Sequence, residues 1–195
     1  MGGPGAWLNY GLGQCGSTSL RCMGKTKAST VSPVITSGRK VWLTSAPFAI
    51  GTTETPDARC QSDRPAGVTT AVALIGRTDR VAAAVFDPTK SYSRIDGTFL
   101  GYGSTLSGGG GPLSGIWQAS DGSYRSVLAL VGSNGSTTLG TTFNTCNNWT
   151  SNTVSNGFAV VTAGLSSASN IWWSGYAQIG CGDISTHLYC VQTAP

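Results

Sequence analysis

The chain has 195 residues, of which 39% are hydrophobic and only 10% charged, so it is long enough for one domain with a real core and too apolar to stay disordered. Its solubility rests on Ser, Thr, Asn and 28 Gly rather than on charge, as is common in extracellular β-rich proteins. The net charge of +4 is uneven, since residues 1–94 hold 11 of the 12 Lys and Arg and 5 of the 8 Asp and Glu, but no Lys/Arg run marks nucleic-acid binding. No apolar stretch approaches the ~20 residues that span a bilayer. Met1-Gly-Gly-Pro-Gly lacks the basic start and apolar core of a secretory leader.

Residues 1–40 read as a separate N-terminal arm. Gly and Pro open it, Cys15 and Cys22 stand seven positions apart, and a polar stretch runs from Lys25 to Ser32. A local Cys15–Cys22 loop is the economical pairing there, and the arm suits an added strand or a linker. From residue 41 the texture changes, and residues 41–44 read as a strand. Thr55-Pro56-Asp57 predicts a helix start, with Thr as N-cap and Pro in the first turn. That helix carries Cys60 and stops near Pro65-Ala66-Gly67. Residues 68–75 are β-branched and apolar, which predicts a strand. Thr78-Asp79-Arg80 ahead of residues 81–86 predicts a second, side-chain-capped short helix ending at Asp87-Pro88.

Beyond that point helix signals vanish. Asp96-Gly97 and Asp121-Gly122 are turn dipeptides, and residues 108–111 followed by Pro112 are a flexible loop. Short strands are expected at Ile116-Trp117, 127–131, 158–162 and 187–191. The class is α+β, with many short strands, two short helices and long surface loops of the kind that carry function.

Cys15, Cys22, Cys60, Cys146, Cys181 and Cys190 are even in number and contain no C-x-x-C pair. The single histidine, His187, excludes the usual mixed Cys/His zinc sites. Disulfides formed in an oxidising compartment are the reading, which places the protein outside the cell or on its surface. Six cysteines allow about 15 pairings, and spacing alone does not choose among them.

Five motifs follow one another from residue 41 to the end. Residues 41–45 lead into Pro56-Asp57-Ala58-Arg59-Cys60-Gln61. Residues 66–75 run from Ala66-Gly67-Val68 to the apolar Ala73-Leu74-Ile75. Ile116-Trp117 precedes Ser120-Asp121-Gly122. Thr145-Cys146-Asn147-Asn148-Trp149 forms a Cys-x-x-Trp element, and Cys181 precedes Leu188-Tyr189-Cys190-Val191. In this order they resemble the endostatin domain of collagen and its bacterial endostatin-like relatives, over most of residues 41–195. The resemblance implies a C-type-lectin-like architecture with nested disulfides, Cys60–Cys190 and Cys146–Cys181, and leaves Cys15 and Cys22 to each other. Each nested bridge would contribute on the order of 4 kcal/mol through the loop it closes. The family's histidine-rich N-terminal zinc site has no counterpart, and residues 1–40 have no match.

Catalytic constellations are hard to assemble. A Ser-His-Asp triad would need His187, with Asp183, yet His187 stands beside Leu188-Tyr189-Cys190 and reads as structural. No Gly-x-Ser-x-Gly elbow occurs, Glu54 is the only glutamate, and the aspartates scatter into turn dipeptides rather than pairing. The chain therefore reads as a non-enzyme without cofactor or metal. A calcium site from Asn147, Asn148 and Asp183, brought together by a Cys146–Cys181 bridge, is the one metal arrangement to check. Trp7, Trp42, Trp117 and Trp149 read as core or strand residues. Trp172 and Trp173, followed by Tyr176, are adjacent and would face opposite sides of a strand; an exposed one suits sugar stacking or a protein hot spot. Arg59, Arg64, Arg77, Arg80 and Arg94 form a candidate patch for acidic glycans, as the resemblance suggests. Asn134-Gly135-Ser136 and Asn148-Trp149-Thr150 match the N-glycosylation pattern.

The sequence thus predicts an extracellular recognition or adhesion module. It would bind a glycan, a matrix component or a host or partner protein through loops between Arg94 and Thr145 and around residues 172–176. The alternative is a structural subunit of a surface fibre or appendage, self-assembling as its N-terminal arm completes a neighbour's sheet.

Overall fold

The computed structural model describes residues 38–153, 160–165, 172–173 and 177–194. The Cys15–Cys22 arm therefore lies outside the described residues except for its last three positions, and so does Tyr176. Strand β1 (Arg39–Leu43) starts within those three positions.

The sheet is organised around its last strand. The strands are β1, β2 (Thr70–Ala73), β3 (Ser91–Ser93), β4 (Phe99–Tyr102), β5 (Leu128–Leu130), β6 (Val160–Leu165), β7 (Ala177–Gly180) and β8 (His187–Ala194). Their order across the sheet is β4-β3-β1-β8-β5-β6-β7, and β2 pairs with β8 off that path. β8 runs antiparallel to β1 and β2 and parallel to β5. Its first six residues are all buried, as expected for a strand covered on both faces. Alternation sorts its side chains between two cores. Tyr189 and Val191 join Val41, Leu43, Leu74, Tyr92 and Ala129 on one face. Leu188 and Cys190 join Trp42, Ile75, Leu130 and Cys60 on the other.

Helix α1 (Pro56–Ser62) starts where the sequence places it. Thr55 is the N-cap, its side chain accepting the Ala58 N–H, and Pro56 fills the first turn. The helix stops at Asp63, ahead of Pro65, and Asp63 turns its carboxylate to the Ser45 N–H at 2.8 Å and to the Ser45 and Ser120 hydroxyls. Asp57 ties the helix to the sheet, accepting the Ala73 N–H at 2.9 Å. The second expected helix is instead a single 3-10 turn, Ala82–Val85, with no side-chain cap bond; the Thr78 N–H goes to Asn148 Oδ1. A helix without a sequence signal, α2 (Gly103–Ser107), starts at Gly103 with no side-chain cap.

The two Asp-Gly turns form as expected, with Gly97 at φ +84° and Gly122 at φ +85°. Asp96-Gly97 joins β3 to β4. Asp121-Gly122 closes a bridge between Gln118 and Tyr124, where the sequence had suggested a strand at Ile116-Trp117.

Two disulfides staple this mixed α+β domain. Cys60–Cys190 binds α1 to β8 and closes a separation of 130 residues; Cys146–Cys181 closes 35. Cys146–Trp149 is a left-handed turn, with φ of +51° to +72° at all four residues. Two of the four are asparagines, which tolerate this region. Thr145 caps the turn at Asn148, and the Trp149 indole N–H donates to Gly76 O at 3.0 Å. Among the described residues no helix is long and apolar enough to cross a membrane.

Candidate binding face

Arg94 follows the last residue of β3 and opens the tight Asp96-Gly97 turn. Its backbone N–H bonds Thr98 O at 2.9 Å, and its carbonyl accepts the Gly97 N–H at 3.1 Å. The turn folds the Arg94 side chain back over itself. Nε and Nη2 reach the two Asp96 carboxylate oxygens at 3.3 and 2.7 Å. Nη2 also bonds Thr98 Oγ1 at 2.8 Å, and Nη1 bonds Ser114 Oγ and Gly115 O at 3.3 and 3.2 Å. All five guanidinium donors are thus spent, and the side chain is only 8% exposed.

Two aromatic rings lie over this buried cation. The Arg94 guanidinium carbon is 5.7 Å from the Trp117 ring centroid and 5.8 Å from that of Tyr124, within cation–π range. The rings are 5.4 Å apart at an interplanar angle of 60°. Tyr124 also donates its hydroxyl to Asp96 Oδ2 at 2.9 Å. With Arg94 buried beneath them, the rings remain open to solvent, Trp117 at 37% and Tyr124 at 54%. The Asp121-Gly122 turn holds both strands of the loop, and the Arg125 N–H closes it on Trp117 O at 2.8 Å.

The electrostatics of the face are balanced. Burial works against ionisation of Asp96, but the hydrogen bonds from Arg94, Thr98 and Tyr124 outweigh it and hold the carboxyl down at about 2. The same bond to Asp96, with some burial, raises the Tyr124 phenol above its ordinary value. Arg125 pairs with Asp121 at 3.0 Å. The face therefore offers two aromatic surfaces, one phenol and flanking carboxylates, with its cations already paired.

Of the candidate ligand-binding residues named from sequence, Arg94 lies within this face, beneath its rings; the other described ones fall elsewhere. The expectation that Trp172 or Trp173 faces outward is corrected: each is 5% exposed. Their rings pack edge to face at 5.0 Å, and Trp172 O accepts the Tyr189 hydroxyl at 3.1 Å. Trp117, read as a core or strand residue, is instead exposed and outside the strands, while Trp42 and Trp149 are buried. Arg59, Arg77 and Arg80 gather beside α1, but with acids between them. Arg59 pairs with Glu54 at 2.9 Å, and Arg77 and Arg80 share Asp57 at 2.7 and 3.8 Å. Arg64 turns back onto Gln61 O.

His187 is buried on β8 with Nδ1 2.7 Å from Thr44 O, and burial lowers its pKa. The hydroxyls of Ser45 and Ser120 bond the Asp63 carboxylate directly, whereas a nucleophilic triad routes serine through the imidazole. Of the three candidate calcium ligands, Asn147 bonds Thr150 Oγ1 and Asp183 caps Ser185, each within its own turn, whereas Asn148 Oδ1 accepts the Thr78 N–H from a distant segment. Of the two glycosylation patterns, Asn134 is exposed, whereas Asn148 is partly buried beside the buried Trp149.

Tyr124 was not singled out in the sequence at all. The available signal was the pair of aromatics flanking the Asp121-Gly122 turn, where a short hairpin exposes one side. No protein-family model and no curated protein matches the chain.

Proposed function

We propose that the chain is an extracellular binding module of C-type-lectin-like, endostatin-like architecture that engages a glycan through the Trp117–Tyr124 face. The observation that carries the reading is the pair of solvent-open rings braced from below by a buried, fully hydrogen-bonded Arg94. Rings held in place lose little freedom on binding, which favours stacking against a ligand. The compartment is supported by the two disulfides, which persist where the surroundings are oxidising. The architecture is supported by their nesting and by the ordered motifs that carry the family resemblance.

The test is a glycan array probed with the oxidised full chain and with Trp117→Ala. Binding to one or more glycans, weakened by about tenfold or more in Trp117→Ala, with the melting temperature lowered by only a few degrees, is the expected outcome. Equal binding by both proteins would remove the face from the account.

A further inference from the structure

Resting on the proposal that Trp117 and Tyr124 form a glycan-binding face, we infer that its ligand is a neutral pyranose chain rather than a sulfated or uronic-acid glycan. Recognition of an anionic sugar requires a cation with free donors, typically an arginine fork. Both arginines beside these rings are already engaged. Arg94 has given all five donors to Asp96, Thr98, Ser114 and Gly115, and Arg125 is paired with Asp121. An arriving carboxylate or sulfate would instead meet the carboxylates of Asp96 and Asp121, and desolvating it without a partner is costly.

The rest of the domain does not supply the missing field. From residue 38 onward nine Lys and Arg face eight Asp and Glu, and three of the chain's twelve Lys and Arg lie before it, at Arg21, Lys25 and Lys27. Six of the seven arginines in this part sit in ion pairs. Steering of a polyanion needs a sustained excess of one sign, and a net of +1 does not provide it. What remains for binding is aromatic surface. The apolar C–H face of a neutral pyranose stacks on one ring, while the second, set at 60° and 5.4 Å, walls the side of the sugar. The ring hydroxyls of the sugar stay in water or reach the polar rim.

The experiment is isothermal titration of the oxidised full chain with cellohexaose, chitohexaose and mannohexaose as neutral probes. Hexagalacturonate and a heparin hexasaccharide are the anionic probes, each at about 50 and about 500 mM NaCl, where screening separates charge from stacking. The expected result is binding of a neutral probe with an affinity that changes by less than about twofold with salt, falls about tenfold or more in Trp117→Ala, and is kept in Arg125→Gln. An anionic probe bound more tightly, weakened by salt and also lost in Trp117→Ala, overturns the neutral assignment but leaves the face in place. An anionic probe bound equally by wild type and Trp117→Ala overturns both. Binding of no probe overturns the neutral assignment.

Discussion

Arg94 and Asp96 show how two residues either side of a turn can prepare a surface without touching a ligand. Replacing Arg94 with Lys keeps the charge but loses the fork, leaving the Asp96 carboxylate, 20% exposed, with one bond from position 94 where it had two, beside those from Thr98 and Tyr124. Removing one partner of a buried pair costs about 3–5 kcal/mol; retention of charge and the partial exposure of Asp96 place Arg94→Lys near or below the lower end, at about 2–3 kcal/mol. Urea unfolding measures it. The pH dependence follows from the same carboxyl. Its folded pKa of about 2 lies below the ordinary 3.8, so its stabilisation is present above about pH 4 and is lost as pH falls toward 2. Asp96→Asn should flatten that acid limb of the stability curve. His187 has the same sign at higher pH. Its pKa lies below the ordinary 6.5 because burial disfavours the imidazolium, so its contribution is present above 6.5 and declines as pH falls below it. A stability profile flat from pH 7 to 5 would contradict that assignment.

At the scale of elements, β1, β2, β5 and β8 were legible because each lies in a short apolar run with branched side chains, which the two cores bury. Helix α1 was legible because Thr55 and Pro56 are local start signals whose effect does not depend on the rest of the chain. β3, β4 and β7 were not. Their sequences, SYS, FLGY and AQIG, carry no run of β-branched apolar residues, and they exist because neighbours supply their hydrogen bonds. α2 begins at a glycine chosen by close packing, since a Cβ on Gly103 would run into Asp87 O. The left-handed turn at Cys146 depends on similar packing. Gly132, at φ +73°, lies against the Trp149 ring and 2.9 Å from Gly76 O by its missing Cβ position. Gly132→Ala should therefore cost about 2–3 kcal/mol, from overpacking added to backbone strain. Gly67 is also at positive φ but has nothing within 4 Å, so Gly67→Ala should cost only about 1 kcal/mol. Thermal unfolding of the two variants separates the contributions, and equal losses would mean that the contact with Trp149 is not tight.

For the whole molecule, the cysteine count pointed to disulfides, and the two bridges tie the central strand to α1 and the left-handed turn to the segment after β7. Loop closure over 130 and 35 residues gives each about 4–5 kcal/mol on the chain-entropy model. Reduction should therefore unfold the domain or lower its melting temperature by more than about 10 °C; an unchanged midpoint in reductant would contradict it. The candidate face lies in the loops between Arg94 and Thr145 that the sequence pointed to, but the residues that form it were the least legible part. Composition marks tryptophan as a core residue, and exposure of Trp117 with burial of Trp172 and Trp173 is decided by contacts between segments far apart in the chain. The arginines misled for the same reason, because their acid partners become visible only once α1 lies beside β2.

Whether Trp117 and Tyr124 form the contact surface for a glycan is read from the indole N–H signals of nitrogen-15-labelled oxidised protein. Cellohexaose, chitohexaose, mannohexaose and a heparin hexasaccharide are added in turn, with signals assigned by single Trp→Phe variants. At least one sugar is expected to move the Trp117 signal while those of the buried Trp42 and Trp149 stay in place. A Trp117 signal that no sugar moves, or shifts confined to the other tryptophans, would contradict that expectation.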